Sequence, residues 1–239
     1  MILDSIPRTS EKPVCSWRFS RRAATAGLIA WLAMASLALA QQEFPPPQGK
    51  GRVVVMASGV SGPAHYTTVA REIAELGYDV VLFDGNLMLG IHGDGVKTLI
   101  LEAQKMPHAL PGKVALVGFS VGGGMYFYFA TQWPDLVAGE VLWYPMNNFI
   151  HDVPGFASRL SVPLLVFAGA KDHFRDGCCL VDLDSRLATA STMAGKRFKL
   201  VVYPDAEHDF VYGGDHYNPK DYSDAFKQTA DMLKVYLSN

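Results

Sequence analysis

Six short runs in this chain are apolar almost without interruption: 52–58 (RVVVMAS), 79–83 (DVVLF), 113–118 (KVALVG), 139–144 (GEVLWY), 162–168 (VPLLVFA) and 197–203 (RFKLVVY). A strand with one wet face alternates apolar and polar residues, whereas a continuous run is buried on both faces. Helical patterns fall between these runs, near 65–76, 95–105, 121–132, 180–193 and 221–237. Strand and helix in alternation predict an α/β fold with a doubly wound, mostly parallel sheet and helices on both faces. No internal repeat and no insertion long enough for a lid interrupts the pattern, so 52–239 reads as one domain. The chain of 239 residues, 49% of them hydrophobic, has ample material for a core and too little polarity for disorder.

The N-terminus reads differently. Residues 1–22 are polar and basic and end in Ser20-Arg21-Arg22. An uncharged stretch rich in Ala and Leu follows, from Ala23 to Ala40, and closes with Ala38-Leu39-Ala40 ahead of Gln41-Gln42. Charged, apolar and small-x-small cleavage regions in that order predict a signal peptide over 1–40 and an exported protein, periplasmic or secreted and free of the membrane after cleavage. The paired arginines resemble a twin-arginine export signal. Segment 41–51, with Pro45-Pro46-Pro47, reads as a Pro-rich linker into the domain.

A formal net charge of −2 gives no electrostatic case for a nucleic-acid partner. Three cysteines exclude a disulfide framework, and loss of the signal leaves only Cys178-Cys179, expected as two reduced core or loop thiols, with a vicinal disulfide in an oxidising compartment as the alternative. The absence of Cys/His ligand spacing argues against a structural zinc site.

The chemistry gathers where strands end. Run 113–118 leads straight into Gly118-Phe119-Ser120-Val121-Gly122 and a helical pattern, which is G-x-S-x-G in strand–turn–helix context. Such a turn lifts the serine above the sheet and aims the next amide at a developing oxyanion. Serine needs a base, and the base needs a group to orient it. Asp172 lies just beyond run 162–168 and His208 just beyond run 197–203, in the chain order Ser, acid, His. Ligands of open α/β sheets gather at that edge.

From about Arg52 onward the chain resembles the dienelactone hydrolase family of α/β hydrolases. The resemblance rests on four segments: Gly77-Tyr78-Asp79-Val80-Val81-Leu82-Phe83-Asp84-Gly85, Gly118-Phe119-Ser120-Val121-Gly122-Gly123, Ala168-Gly169-Ala170-Lys171-Asp172 and Tyr203-Pro204-Asp205-Ala206-Glu207-His208-Asp209-Phe210. It implies an α/β-hydrolase fold with Ser120 as nucleophile, Asp172 as acid and His208 as base, and no cofactor. The family's name-giving enzymes carry cysteine where this chain has Ser120, and the arginines that hold their substrate's carboxylate have no counterpart here. The resemblance therefore implies hydrolysis of a small ester or lactone, not dienelactone itself as substrate.

Two oxyanion donors are expected. One is the amide of Val121; the other is the amide of Val60 in Ser58-Gly59-Val60-Ser61-Gly62, where many α/β hydrolases have His-Gly-x-x-Gly. Trp143 and Tyr144, with Met146, stand at a strand end near the elbow and are candidates for a substrate pocket. His173 adjoins Asp172 but precedes the last strand, so it is the weaker base. His92 and Asp94 read as solvated loop residues, and Asp209, Asp215 and His216 fit no metal-ligand spacing. Two other classes share these residues: a peptidase or amidase with the same triad, and a catalytically silent fold used for binding. A complete triad weighs against the silent fold.

Overall fold

The structure is a computed structural model that describes residues 41–238. The expected signal peptide lies outside them. Among the described residues, no helix is long and apolar enough to cross a membrane. Seven strands form one sheet: β1 (Gln41–Phe44), β2 (Gly51–Ala57), β3 (Asp79–Phe83), β4 (Ala109–Phe119), β5 (Val137–Trp143), β6 (Leu164–Gly169) and β7 (Phe198–Tyr203). Their spatial order is β1-β3-β2-β4-β5-β6-β7, and every pairing is parallel except that of β1 with β3. The helices are α1 (Thr67–Glu75), α2 (Gly85–Ala103), α3 (Ser120–Phe129), α4 (Val153–Arg159), α5 (Val181–Met193) and α6 (Pro219–Tyr236).

Alternate residues of each central strand enter opposite cores, which explains their unbroken apolarity. Val53, Val55 and Ala57 of β2 face one core with Val114 and Leu116 of β4, beneath α2, α3, α4 and α5. Val54 and Met56 face the other with Ala115, Val117 and Phe119, beneath α1 and α6. The chain runs outward from β2 to β3 and then returns to β4 on β2's other side. That reversal opens a crevice at the carboxyl ends of β2 and β4, the place where open α/β sheets hold ligands.

Segment 41–51 is not all linker, which corrects the expectation from its prolines. Gln41 to Phe44 pair antiparallel with β3, Gln41 opposite Phe83 and Phe44 opposite Val80. Without β1, β3 would be a bare edge, and backbone hydrogen bonds cover it whatever the side chains of Gln41, Gln42 and Glu43 are. Strand β6 starts at Leu164 rather than at 162, because Pro163 has no N–H and the amide of Val162 bonds to the carbonyl of Thr131 instead. Helix α2 begins ten residues earlier than its pattern indicates. The Asp84 side chain accepts the Asn86 amide at 2.9 Å and caps its start. The helix is kinked at His92, whose φ is 52°.

The opening residue of β3, Asp79, is fully buried without a hydrogen-bond partner. Burial, and then the nearby carboxylate of Glu43, push its pKa from 3.8 to about 6, with His108 opposing. The folded chain thus keeps a proton on Asp79 between about pH 4 and pH 6 that the unfolded chain has released, so stability falls as pH rises through that window. Asp79→Asn is expected to gain on the wild type by on the order of 2 kcal/mol between pH 4 and pH 8 in paired urea titrations. A difference that does not change with pH would contradict the assignment.

Candidate active site

Ser120 sits where β4 becomes α3, in the left-handed region with φ 47°. A non-glycine residue there is strained, and the surrounding backbone must hold it. Close packing does so. A Cβ on Gly118 would meet the Cα of Gly123 at 2.6 Å, and one on Gly122 would meet the Ser58 carbonyl oxygen at 2.5 Å. The turn therefore packs backbone on backbone, and both positions admit only glycine.

Asp172 follows β6 and His208 follows β7, so both loops reach the same sheet edge as Ser120. The Nδ1–H of His208 donates to Asp172 Oδ2 at 2.7 Å, and Ser120 Oγ donates to His208 Nε2 at 3.0 Å. A carboxylate can only accept, so it fixes the imidazole proton on Nδ1 and leaves the Nε2 lone pair for serine. All three residues are buried. The other Asp172 oxygen accepts the Phe174 amide at 3.0 Å, which holds the carboxylate from its far side. Phe174 stacks on the imidazole at 4.3 Å between centroids, and Tyr144 meets it edge-on at 4.7 Å.

The amide of Val121 lies in the first turn of α3, where N–H groups have no partner within the helix. Val60 stands across the crevice on the loop after β2 and lines the same cavity as Ser120. That loop is tied down at both ends of its first turn. Ser58 is buried, and its Oγ accepts the Gly85 amide at 3.0 Å. Asn86 Nδ2 donates to the Val60 carbonyl at 3.2 Å and to Asp84 Oδ1 at 2.9 Å. Serine in place of the usual histidine thus joins the loop to the start of α2.

The cavity at Ser120 has a volume of about 70 Å³. Tyr66, Ser61, Phe174, Asp209, Asp215 and His216 complete its wall, and neither Lys nor Arg is among the lining residues. Behind it, Asp209 accepts from Tyr144 OH at 3.1 Å and from His65 Nε2 at 3.1 Å. Burial, and then Asp209, hold the Tyr66 hydroxyl far above its usual range, so it stays protonated.

Several sequence-based assignments change. Trp143 does not line the cavity: at the end of β5 it points into the core of α1 and α6, where Phe119, Phe167, Phe210 and Tyr222 surround it. Tyr144 is also buried and acts on the site only from behind, through His208 and Asp209. Met146 and His92 line a separate apolar groove with Met88, Leu89, Met125 and Phe149. His173 is exposed, on the outer side of the Asp172 loop. Asp209, Asp215 and His216 form no donor cluster, because Asp209 is spent on Tyr144 and His65, and His216 Nδ1 faces Glu207 at 3.3 Å. Cys178 and Cys179 are joined to each other rather than free. Tyr66 and Phe174 carried no sequence signal, since only the turns that precede them aim their rings at the site.

Residues 91–237 match the dienelactone hydrolase family. Protein usf of Aquifex pyrophilus is 29% identical over 130 residues, covering 54% of this chain and 53% of that protein. The chain thus spans about half the length of the curated relatives it matches. Esterase 2 of Thermogutta terrifontis superposes with a TM-score of 0.64 at 16% identity, covering 83% of this chain and 90% of that one. A dienelactone hydrolase-like promiscuous phosphotriesterase from metagenomic libraries superposes with a TM-score of 0.65 at 15% identity, over 82% and 99% of the two chains. With the sheet order, the elbow and the family match in agreement, this chain belongs to the dienelactone hydrolase family of α/β-hydrolase fold.

Proposed function

We propose that the protein is an exported serine hydrolase that cleaves small carboxylic esters or lactones through an acyl-enzyme. The observation that carries this reading is the buried relay from Ser120 Oγ through His208 to Asp172, with bonds of 3.0 and 2.7 Å. Serine alone is a poor nucleophile at neutral pH. His208 takes its proton as Oγ attacks the carbonyl carbon, and Asp172 steadies the imidazolium that forms. The Val121 and Val60 amides receive the charge that develops on the carbonyl oxygen. His208 then hands its proton to the leaving alcohol, and a water activated by the same imidazole releases the acid. General-base assistance supplies about 10²–10⁴-fold and each oxyanion donor roughly 10²–10³-fold.

The cavity narrows the substrate. A volume of about 70 Å³ suits a short acyl group. Asp209 and Asp215 in the wall, with neither Lys nor Arg among the lining residues, disfavour substrates that carry a carboxylate. Membership of a family of ester and lactone hydrolases supports the same bond. So does the fold shared with Thermogutta esterase 2, a protein described as phosphorylated by paraoxon.

On a panel of esters, lactones, amides and peptides, wild type is expected to favour short neutral esters or lactones. His208→Ala should lower kcat by about 10³-fold or more, with folding checked by circular dichroism. His173→Ala should cost far less, about tenfold through the Asp172 loop. A dead His173→Ala beside an active His208→Ala would overturn the triad, and faster cleavage of amides would overturn the bond.

Export rests on the order of charged, apolar and small-x-small regions over 1–40. N-terminal sequencing of protein recovered from the envelope or medium should begin at Gln41. A start at Met1 would mean a retained leader.

A further inference from the structure

The turn after Asp172 carries two sulfurs to the triad histidine. The amides of Gly177 and Cys178 both return to the Phe174 carbonyl, at 3.4 and 3.2 Å, in the same residue whose ring stacks on His208. From the other side, the amides of Asn147 and Asn148 donate to the Cys178 carbonyl at 3.0 and 3.3 Å. The Asn147 side chain accepts the Leu180 amide and donates to the Leu180 carbonyl, both at 2.9 Å. The dipeptide Cys178-Cys179 is thus held in place by residues on both flanks. Its two sulfurs and a ring nitrogen of His208 lie within 4.8 Å of one another. The donors of all three residues are buried.

Two thiolates and an imidazole are the donors that soft cations select. Around a tetrahedral ion of the zinc type such donors stand roughly 3.5–4 Å apart, within reach of a cluster this compact once the sulfurs are free. We propose that Cys178, Cys179 and His208, in the dithiol form of the pair, make an inhibitory site for a thiophilic divalent cation of the zinc and cadmium class. A thiol reductant gives two electrons to the disulfide, and two protons from solvent complete two thiols. Each sulfur then loses its proton to solvent as it binds the cation, and neutral imidazole contributes a lone pair.

Inhibition follows because the triad already uses both ring nitrogens, Nδ1 toward Asp172 and Nε2 toward Ser120. A cation on Nε2 takes the lone pair that receives the serine proton. A cation on Nδ1 displaces that proton to Nε2, which turns from acceptor to donor. Either way Ser120 loses its base. In the disulfide form the sulfurs are committed to each other and the imidazole stays with the triad. Inhibition rests on the hydrolase reading above, whereas binding of the cation does not.

The test uses the full chain, reduced with a phosphine, freed of reductant under nitrogen and titrated with Cd²⁺. Thiolate-to-cadmium ultraviolet absorption and hydrolysis of a short ester are followed together. One Cd²⁺ per chain, a charge-transfer band and loss of hydrolysis at one equivalent are expected, all reversed by a chelator. The oxidised protein and the Cys178→Ser/Cys179→Ser double variant should show neither band nor inhibition. His208→Ala should keep the band and bind Cd²⁺ at least about tenfold more weakly. No band, a band with full hydrolysis, or equal affinity in His208→Ala overturns the site. A wild type that hydrolyses nothing overturns the hydrolase reading instead, and the band and its dependence on His208 still decide the site.

Discussion

Backbone pressed against backbone at the elbow is the constraint on which the rest of this structure depends. Ser120 is held at φ 47° because Gly118 lies against Gly123 and Gly122 against the carbonyl of Ser58. That last contact couples the turn at Ser120 to the loop after β2, which carries Val60. Gly85 closes the arrangement: a Cβ on it would meet the Cα of Gly122 at 3.0 Å. The start of α2, the loop after β2 and the elbow therefore share one set of contacts, and any Cβ added among them pushes on the serine.

Backbone strain is concentrated around this point. The non-glycine residues with positive φ among those described are His92, Ser120, Tyr144, Arg175 and Asp209. Of these, Ser120 carries the hydroxyl, Tyr144 and Asp209 form the hydrogen-bonded backing of His208, and Arg175 belongs to the turn that places Phe174 on the imidazole. Strain of this kind costs about 1–3 kcal/mol per residue and persists only where neighbours over-determine it. Here the two cores on either face of the sheet provide the rigid base, and the loops at its carboxyl edge carry the distortion.

The sequence made the sheet legible because burial on both faces leaves an unbroken apolar run, as in DVVLF and KVALVG. It hid β1, since an edge strand such as QQEF is held by main-chain bonds and shows no side-chain pattern. It hid the first half of α2 as well, where Gly85, Gly90 and Gly93 lower helix propensity and only the Asp84 cap marks the start. The meeting of Ser120, Asp172 and His208 was legible because each follows a strand in a fixed order. Trp143 was misplaced as a pocket residue because the face of a strand residue depends on register, which residue type does not reveal. Tyr66, Phe174 and the Cys178-Cys179 pair reach the site through local turns, and no periodicity encodes these.

Ser120 is expected to be the one serine of the chain that this geometry makes reactive. The most direct measurement is labelling of the native, folded protein with a fluorophosphonate, followed by peptide mass spectrometry. Rapid covalent modification at Ser120 is expected, with near-complete loss in His208→Ala. A folded protein that stays unlabelled, or that is labelled at another serine, would contradict it.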